Sequence, residues 1–327
     1  MGSVPPVVVL NGGWTGVLST VVVTGGAGFI GANLVRQLLS EGVDSVVVVD
    51  DLSTGNLDNL TDVEADVRIG SILDPELLDK ALVGADAVIH LAAVPSVPRS
   101  VADPMTSHAA NATGTLEVLQ AVRRAGGPHL VLASSSSVYG ANRTLPKSED
   151  LRTAPLSPYA VSKLAAEAYA LAFAHCYGLD VLPFRFFNVF GPLQPAGHAY
   201  AAVVPAFVEA ALAGRPVPVY GDGEQTRDFT YVGTVARVLA DAVQRRVTHD
   251  GAVNLAFGTR TSLNALLERL ETQLAGPVAR EHHAARDGDV RDSQADTATL
   301  RSLFPDVEPV GLDEGLAATI AWFRGGS

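Results

Sequence analysis

Residues 20–31 read TVVVTGGAGFIG and join a short β-branched run to a glycine-rich turn. β-Branched residues favour strands, and a strand that passes through a glycine turn into a helix is typical of sites for a dinucleotide pyrophosphate. The pyrophosphate can rest against the start of the helix only if the backbone approaches it closely, which residues without a Cβ allow. We therefore expect Gly25 to form the tight turn, Gly28 to permit the close approach and Gly31 to pack the helix against the strand.

A carboxylate stands where the ribose of such a dinucleotide would bind. Asp50 ends the valine-rich run Ser45–Asp50 and follows Gly31 by 19 residues. From this position an acid binds the adenosine ribose hydroxyls, and it disfavours a 2′-phosphate. The pattern predicts NAD rather than NADP as the cofactor. A glycine turn with no ligand is the alternative.

Strand-like and helical patterns alternate over residues 20–184, which predicts an α/β fold with a Rossmann-type doubly wound parallel sheet. Strands are expected at Thr20–Thr24, Ser45–Asp50, Ala87–Leu91, Leu130–Ser134 and Val181–Phe184. Helices are expected near Ile30–Leu39, Pro75–Ala81, Ala109–Ala125 and Tyr159–Tyr177.

The pattern loosens in the last part of the chain, where Gly and Pro cluster and the apolar runs shorten. We predict an NAD-binding domain over residues 20–184 and a smaller C-terminal α/β substrate-binding lobe over residues 185–327. Some segments of that lobe can return to the sheet. Residues 1–19 carry no charged side chain and are expected to form a flexible lead-in.

The composition narrows the class of protein. Of 327 residues, 47% are hydrophobic and 18% charged, a balance that supports a buried core. A net charge of −12 argues against binding nucleic acid or an anionic membrane surface. Cys176 has no second cysteine to pair with, and no apolar run reaches the roughly 18 residues of a membrane span. We expect a soluble cytoplasmic protein without a metal, since the adjacent His282 and His283 read as solvated.

Tyr159 and Lys163 lie four residues apart at the start of a predicted helix, so both side chains share one face. A phenol with a pKa near 10 is a poor base at neutral pH, but a nearby lysine and a nicotinamide cation favour the phenolate. The serine run at residues 134–137 ends the preceding strand, where a hydroxyl could donate to a reacting oxygen. A solvated Tyr–Lys pair and a serine-capped turn are the alternatives.

The glycine turn, the serine run and the Tyr-x-x-x-Lys pair together resemble the extended short-chain dehydrogenase/reductase family, within its NAD-dependent epimerase/dehydratase group. The resemblance implies a catalytic triad of Ser135, Tyr159 and Lys163. Related 4,6-dehydratases carry Asp and Glu after the hydroxyl residue, whereas this chain has Ser136 and Ser137. Without a carboxylate to take a proton from carbon, elimination is disfavoured.

The match extends over nearly the whole chain from Val21 and resembles the UDP-glucose/UDP-N-acetylglucosamine 4-epimerase branch. Its segments include DDLSTGN at residues 50–56, HLAA at 90–93, SVPRS at 96–100, RFFNVFGP at 185–192 and RDF at 227–229. A UDP-glucuronate 4-epimerase, a dehydratase or decarboxylase of the same family, and an NAD(H)-sensing or scaffold protein remain alternatives.

The resemblance implies two sets of binding residues. NAD contacts fall on Gly25, Gly28, Phe29, Ile30, Gly31, Asp50, Asp51, Ser53, Gly55, Ser71, Ile72, Leu91, Ala92, Ala93, Asn111, Ser134, Tyr159 and Lys163. Contacts with the UDP-sugar fall on Ser96, Ser135, Ser136, Tyr159, Phe187, Asn188, Ala202, Val203, Val219, Tyr220, Arg227, Arg286 and Ser293.

Roles within the second set also follow from the resemblance. Asn188 and the backbone near Ala202 and Val203 would hold the diphosphate. Arg227 and Arg286 would bind its phosphates, although each could instead form a surface ion pair.

Val219 and Tyr220 would flank the uracil, and Ser293 stands seven residues after Arg286. A small residue there would leave room for an acetamido group, to which Ser96 could hydrogen-bond. The resemblance also implies a homodimer through the helices at Ala109–Ala125 and Tyr159–Tyr177.

Overall fold

The computed structural model describes residues 18–196, 201–284 and 291–325. Its strands are β1 Thr20–Thr24, β2 Ser45–Asp50, β3 Asp66–Ile69, β4 Ala87–His90, β5 His129–Ser135, β6 Val181–Phe186, β7 Asn188–Phe190, β8 Val217–Tyr220, β9 Thr226–Arg227, β10 Phe229–Tyr231, β11 Val253–Leu255, β12 Thr261–Ser262 and β13 Arg280–His283. Its α-helices are α1 Phe29–Ser40, α2 Pro75–Ala81, α3 Val97–Ala102, α4 Pro104–His108, α5 Gly114–Arg124, α6 Pro158–Tyr177, α7 Val203–Leu212, α8 Val232–Gln244, α9 Leu263–Leu274, α10 Ala298–Leu303 and α11 Leu312–Gly325.

Seven of these strands form one sheet in the order β11-β6-β5-β4-β1-β2-β3, and every neighbouring pair is parallel. The predicted doubly wound α/β fold is confirmed. The strand order reverses between β1 and β4, and ligands of open α/β sheets bind beside the carboxyl ends of strands at such a reversal.

Helices cover the sheet on both sides, so its central strands are apolar on both faces. Val21 and Val23 point to the side covered by α1, α8 and α10, while Val22 points to the side covered by α2, α5 and α6. These valines are fully buried. The continuous valine runs are therefore explained by helices on either side.

The second half of the chain divides between the sheet and the smaller lobe. β11 pairs with β6 at the edge of the sheet, and α8 packs against α1. The lobe has its own apolar core, which α7, β8, α9 and α11 form. Two-stranded pairs β7–β10, β8–β13 and β9–β12 complete it.

Some boundaries differ from those expected. Residues 1–17 of the predicted lead-in lie outside the described residues, while Leu18 packs in the core and the Ser19 amide donates to Asp86. The helix expected at Ala109–Ala125 begins with a π-helical turn at Ala109–Thr113 before α5. π-Helical turns occur often at functional sites. No helix in the described ranges has both the length and the apolar character needed to cross a bilayer.

Candidate active site

The glycine turn lies where the strand order reverses. Gly25 has a φ of 73°, and a Cβ there would lie 2.6 Å from the Ala92 amide nitrogen. A Cβ on Gly31 would lie 2.2 Å from the Gly25 carbonyl oxygen. Both glycines are therefore required by packing alone, whether or not a ligand binds.

Gly28 differs from those two glycines. A Cβ there would meet just one atom within 4 Å, the Gly25 carbonyl oxygen at 3.3 Å. Gly28 is the N-cap of α1 and offers no side-chain acceptor to the first amides of the helix. These amides and the positive end of the helix dipole face a cradle that a side chain would narrow. The cradle suits a pyrophosphate, as the sequence predicts.

The Asp50 carboxylate is fixed by backbone donors. Its Oδ2 accepts from the Ala27 amide at 3.0 Å and its Oδ1 from the Leu52 amide at 2.9 Å. Burial raises the pKa of Asp50, and these two hydrogen bonds oppose the rise. Each oxygen accepts one of these two amides and keeps a lone pair with which to bind a ribose hydroxyl. The donor set fits the adenosine half of NAD.

The chain after β4 passes directly over the glycine turn. Leu91 and Ala92 donate their amides to the Thr24 carbonyl and hydroxyl oxygens at 3.0 and 3.3 Å. The Val94 amide donates to the Asn111 side chain at 2.8 Å. Asn111 is buried and also donates to Val94 and to the Ser162 hydroxyl, so its side chain holds this loop, and its contact with NAD stays a prediction.

Sequence reasoning missed a buried histidine beneath the site. His90 lies between the hydroxyls of Thr24, 2.6 Å from Nδ1, and Thr115, 3.0 Å from Nε2. Thr115 donates its proton to the Asn111 carbonyl, so it accepts from Nε2–H, and Thr24 donates to Nδ1. Burial and the nearby Lys163 lower the pKa of His90 to about 3. His90 is therefore a neutral support for the β1 and β4 ends.

The three predicted catalytic residues meet at the carboxyl end of β5. Ser135 ends that strand, and its hydroxyl lies close enough to the Tyr159 phenol to lower the pKa of that phenol. The Lys163 ammonium donates to the Ala133 carbonyl at 2.8 Å. Local sequence sets the start of α6, because the Ser157 hydroxyl caps the Ala160 amide and Pro158 occupies the first turn.

The sequence predicts that Lys163 favours the phenolate form of Tyr159, but the pKa values of the two side chains are shifted the other way. Burial raises the pKa of Tyr159, and the hydrogen bond with Ser135 offsets only part of the rise. Burial also lowers the pKa of Lys163 to about 8. The protein alone thus does not favour the phenolate. A lowered phenol pKa must come from the ligand-bound site, where a nicotinamide cation adds positive charge.

A buried ion pair stands behind the triad. Glu167 follows Lys163 by one helical turn and binds Arg185 of β6 through both oxygens, at 2.6 and 3.0 Å. The Ser134 hydroxyl donates to the same carboxylate at 2.7 Å. The Ser134 side chain is buried and faces Glu167, and its contact with NAD stays a prediction. The spacing of Tyr159, Lys163 and Glu167 along one helix face was the available signal for this acid.

Asn188, one of the candidate diphosphate residues, is held by Asp228, which is fully buried. Its carbonyl accepts from the Asn188 amide at 3.2 Å and from the Asn188 side chain at 3.4 Å. Its carboxylate accepts from the amides of Gly258, Thr259 and Ala295 at 3.0–3.1 Å. This carboxylate therefore ties β10 to the segments beside β11 and before α10.

Ser293 and Arg227 also meet there, because the Ser293 amide and the Arg227 side chain both donate to the Thr226 carbonyl, at 3.1 and 2.9 Å. Tyr220 stacks on His283 with ring centroids 5.2 Å apart. Arg286 lies outside the described residues.

Several other predicted binding residues have side chains that are buried or lie at the start of a helix. The side chains of Ile72, Phe187 and Val219 are buried in apolar clusters, so they could reach a ligand mainly through their backbone. Ala202 starts α7 without a side-chain cap. Ser96 has a φ of 100°, a strained value for serine.

The remaining predicted NAD residues lie in the loops beside Asp50 and after β3. Gly55 passes close to the Asp50 carboxylate, Asp51 accepts from the Ser53 amide and hydroxyl, and the Ser71 hydroxyl accepts from the Leu73 amide. Within the described ranges, no group of three or more His, Cys, Asp or Glu side chains could hold a metal ion.

Comparisons with known proteins agree with this geometry. The model of the NAD dependent epimerase/dehydratase family matches residues 21–256. A UDP-glucose 4-epimerase of Mycolicibacterium smegmatis is 38% identical over 93% of this chain and 98% of its own length.

Two solved structures are similar throughout. A UDP-N-acetylglucosamine 4-epimerase from Methanobrevibacter ruminantium, in complex with UDP-N-acetylmuramic acid, has a TM-score of 0.89 and 36% identity over 94% of this chain and 99% of that one. A Thermus thermophilus UDP-glucose 4-epimerase, in complex with NAD, has a TM-score of 0.85 and 34% identity over 94% of this chain and 100% of that one.

Glu167→Gln tests the buried ion pair. The variant leaves the Arg185 charge without a counterion, so the free energy of unfolding should fall by about 3–5 kcal/mol. Denaturant unfolding measures the change. Glu76→Gln is the matched control, because Glu76 forms an exposed pair with Lys80, and its unfolding midpoint should not move. Equal behaviour of the two variants would contradict the assignment.

Proposed function

The chain belongs to the NAD-dependent epimerase/dehydratase family, and on that premise we propose that it is a 4-epimerase of UDP-sugars. It is an NAD-dependent isomerase, as its similarity to named epimerases over nearly its whole length shows. The observation that carries the reaction type is the approach of the Ser135 hydroxyl to the Tyr159 phenol at the end of β5, followed by Ser136 and Ser137 in place of carboxylates. Proton transfer at one hydroxyl is supported, and elimination from carbon is not.

The residues present fit NAD. The cradle at Gly28 and the first amides of α1 would hold the pyrophosphate, and Asp50 would hold the adenosine ribose. Lys163 would reach the nicotinamide ribose. When bound, NAD supplies the hydride acceptor at C4 of the sugar and afterwards the hydride donor.

The protein's own groups handle the proton. Tyr159, as phenolate, accepts the proton of the sugar 4-hydroxyl, while Ser135 donates a hydrogen bond to the C4 oxygen. Lys163 adds positive charge near the phenolate. The 4-keto sugar then turns about its phosphate linkage and presents its opposite face. Tyr159 returns the proton to the C4 oxygen.

Binding of the UDP leaves the sugar free to turn. Asn188, Arg227 and Arg286, with the backbone at Ala202 and Val203, would hold the diphosphate, and the segment at Val219 and Tyr220 would flank the uracil. These contacts would lie on the lobe rather than at the reacting carbon. Binding energy from a remote group can thus position C4 without fixing one face of the ring.

We propose that the enzyme accepts N-acetylhexosamines as well as hexoses. Ser293 is small, and its backbone rather than its side chain makes the hydrogen bond to Thr226. The Ser96 hydroxyl accepts from the Arg99 amide at 3.3 Å and keeps its own proton for an acetamido oxygen. The similarity to a UDP-N-acetylglucosamine 4-epimerase supports this choice.

Tyr159→Phe tests the reaction. The variant should lose epimerisation by at least about a thousandfold, because the phenolate base is gone, while NAD stays bound. Purified protein is incubated with UDP-Glc, UDP-GlcNAc and UDP-glucuronate, and epimers are separated from dehydrated or decarboxylated products. Wild-type turnover by the variant, or a loss of mass in the wild-type product, would overturn the proposal.

Ser293→Tyr tests the sugar pocket. The ring would fill the volume left for the acetamido group, so turnover of UDP-GlcNAc should fall by about tenfold or more while that of UDP-Glc changes little. Ser302→Tyr, on the exposed side of α10, is the control. An equal loss with both sugars would place Ser293 away from the acetamido group. Wild-type turnover of UDP-Glc alone would refute dual acceptance.

We also propose a homodimer through the α5–α6 face. Val161 and Tyr169 of α6 are exposed by 52% and 42%, and Met105 of the adjoining α4 by 73%. Sedimentation velocity should give twice the chain mass, and Val161→Asp with Tyr169→Asp should give monomers, because buried charge opposes association. Val83→Asp, at another exposed valine, should stay dimeric. A wild-type monomer would refute the dimer.

A further inference from the structure

Ser137 contacts the catalytic hydroxyl twice. Its backbone amide lies 3.2 Å from the Ser135 hydroxyl oxygen, and its own hydroxyl lies 2.9 Å from the same atom. Ser135 is the N-cap of the 3-10 turn Ser136–Tyr139, so the turn itself fixes the direction of the Ser137 amide. Substrate binding need not create either contact.

The two contacts from Ser137 limit where the Ser135 hydroxyl can send its proton. A serine oxygen has one proton and two lone pairs. The Ser137 amide can only donate, and it occupies one lone pair of Ser135. The Ser135 proton then has two possible acceptors, the Ser137 hydroxyl and the Tyr159 oxygen.

The charge state of Tyr159 decides between these two acceptors. A phenolate can only accept, so it takes the Ser135 proton, and the Ser137 hydroxyl fills the second lone pair of Ser135. A neutral phenol can itself donate to Ser135, and the Ser135 proton then goes to the Ser137 hydroxyl, so the chain runs in the opposite direction. The phenolate requires the chain that donates from Ser137 through Ser135 to Tyr159. Because its last hydrogen bond goes to a charged acceptor, this direction is stronger than the reverse one, and the hydrogen bonds in such a chain strengthen each other.

We propose that Ser137 is a positioning residue that holds Ser135 as a hydrogen-bond donor, whose one proton goes to Tyr159 in the free site and to the C4 oxygen once the sugar is bound. This inference rests on the proposed epimerase function. Ser137 then has two effects: it stands where a dehydratase has a carboxylate, and its hydroxyl orients the hydroxyl of Ser135.

Few charged groups act on Tyr159. On its own helix, Lys163 is the cation one turn away, and its ammonium donates to the Ala133 carbonyl of β5. From β4, His90 is neutral. The hydrogen bond from Ser135 is the contact that lowers the pKa of Tyr159 against the effect of burial. A change in this bond should therefore appear directly in the ionisation of the phenol.

The test compares Ser137→Thr, which keeps the hydroxyl, with Ser137→Val, which has the same shape without it. The pKa of Tyr159 is measured with NAD bound, from the phenolate absorbance of each protein minus that of its Tyr159→Phe form. We expect the Thr variant to match the wild type and the Val variant to ionise about half a unit to one unit higher, the effect of one hydrogen bond. With UDP-Glc, kcat near neutral pH should fall about three- to tenfold in the Val variant, and KM should stay within about twofold.

Several outcomes would overturn the inference. It fails if Thr and Val variants ionise alike, or if KM rises while the phenol titration is unchanged. Ser137→Ala is compared with Ser137→Thr if the valine does not fold, and the same difference is required. A wild type that turns over no UDP-sugar refutes the proposed function, but the titration still reads the Ser137 effect.

Discussion

Helices that follow β1 and β4 lie on opposite faces of the sheet, because α1 packs on one side and α5 on the other. The chain therefore leaves the two neighbouring strands in opposite directions and opens a crevice between them. The glycine turn fills one wall of this crevice, and Leu91 to Ala93 form the other. The clash that a Cβ on Gly25 would make with Ala92 shows how closely the walls approach.

The titratable side chains around this crevice are either neutral or paired with a protein group. His90 is held neutral between two threonine hydroxyls, and the Lys163 ammonium meets a backbone carbonyl. The one buried acid on this face of α6, Glu167, is matched by Arg185. Because these groups are satisfied inside the protein, the phenol of Tyr159 is left to respond to the ligand and to Ser135.

Backbone hydrogen bonds to a carboxylate, together with apolar contacts, tie the lobe to the sheet. Asp228 accepts from three amides that belong to two separate segments, and its carbonyl orients Asn188. The apolar core of the lobe lies apart, around α7, α9 and α11. Asp228 therefore holds Asn188 close to segments that are far from it in the sequence.

The sequence by itself determined the elements that local pattern controls. The first two strands and α2 have the predicted bounds, since valine runs, the Asp74–Pro75 cap and glycine positions act over a few residues. The placement of Tyr159 and Lys163 near the start of α6 was also readable, because residues four apart share a helix face. Tertiary structure alone decided that Ser134 faces Glu167, that Asn111 holds Val94 and that β11 joins the sheet. Each of these depends on which distant segments meet in space, and a local sequence pattern does not predict such contacts.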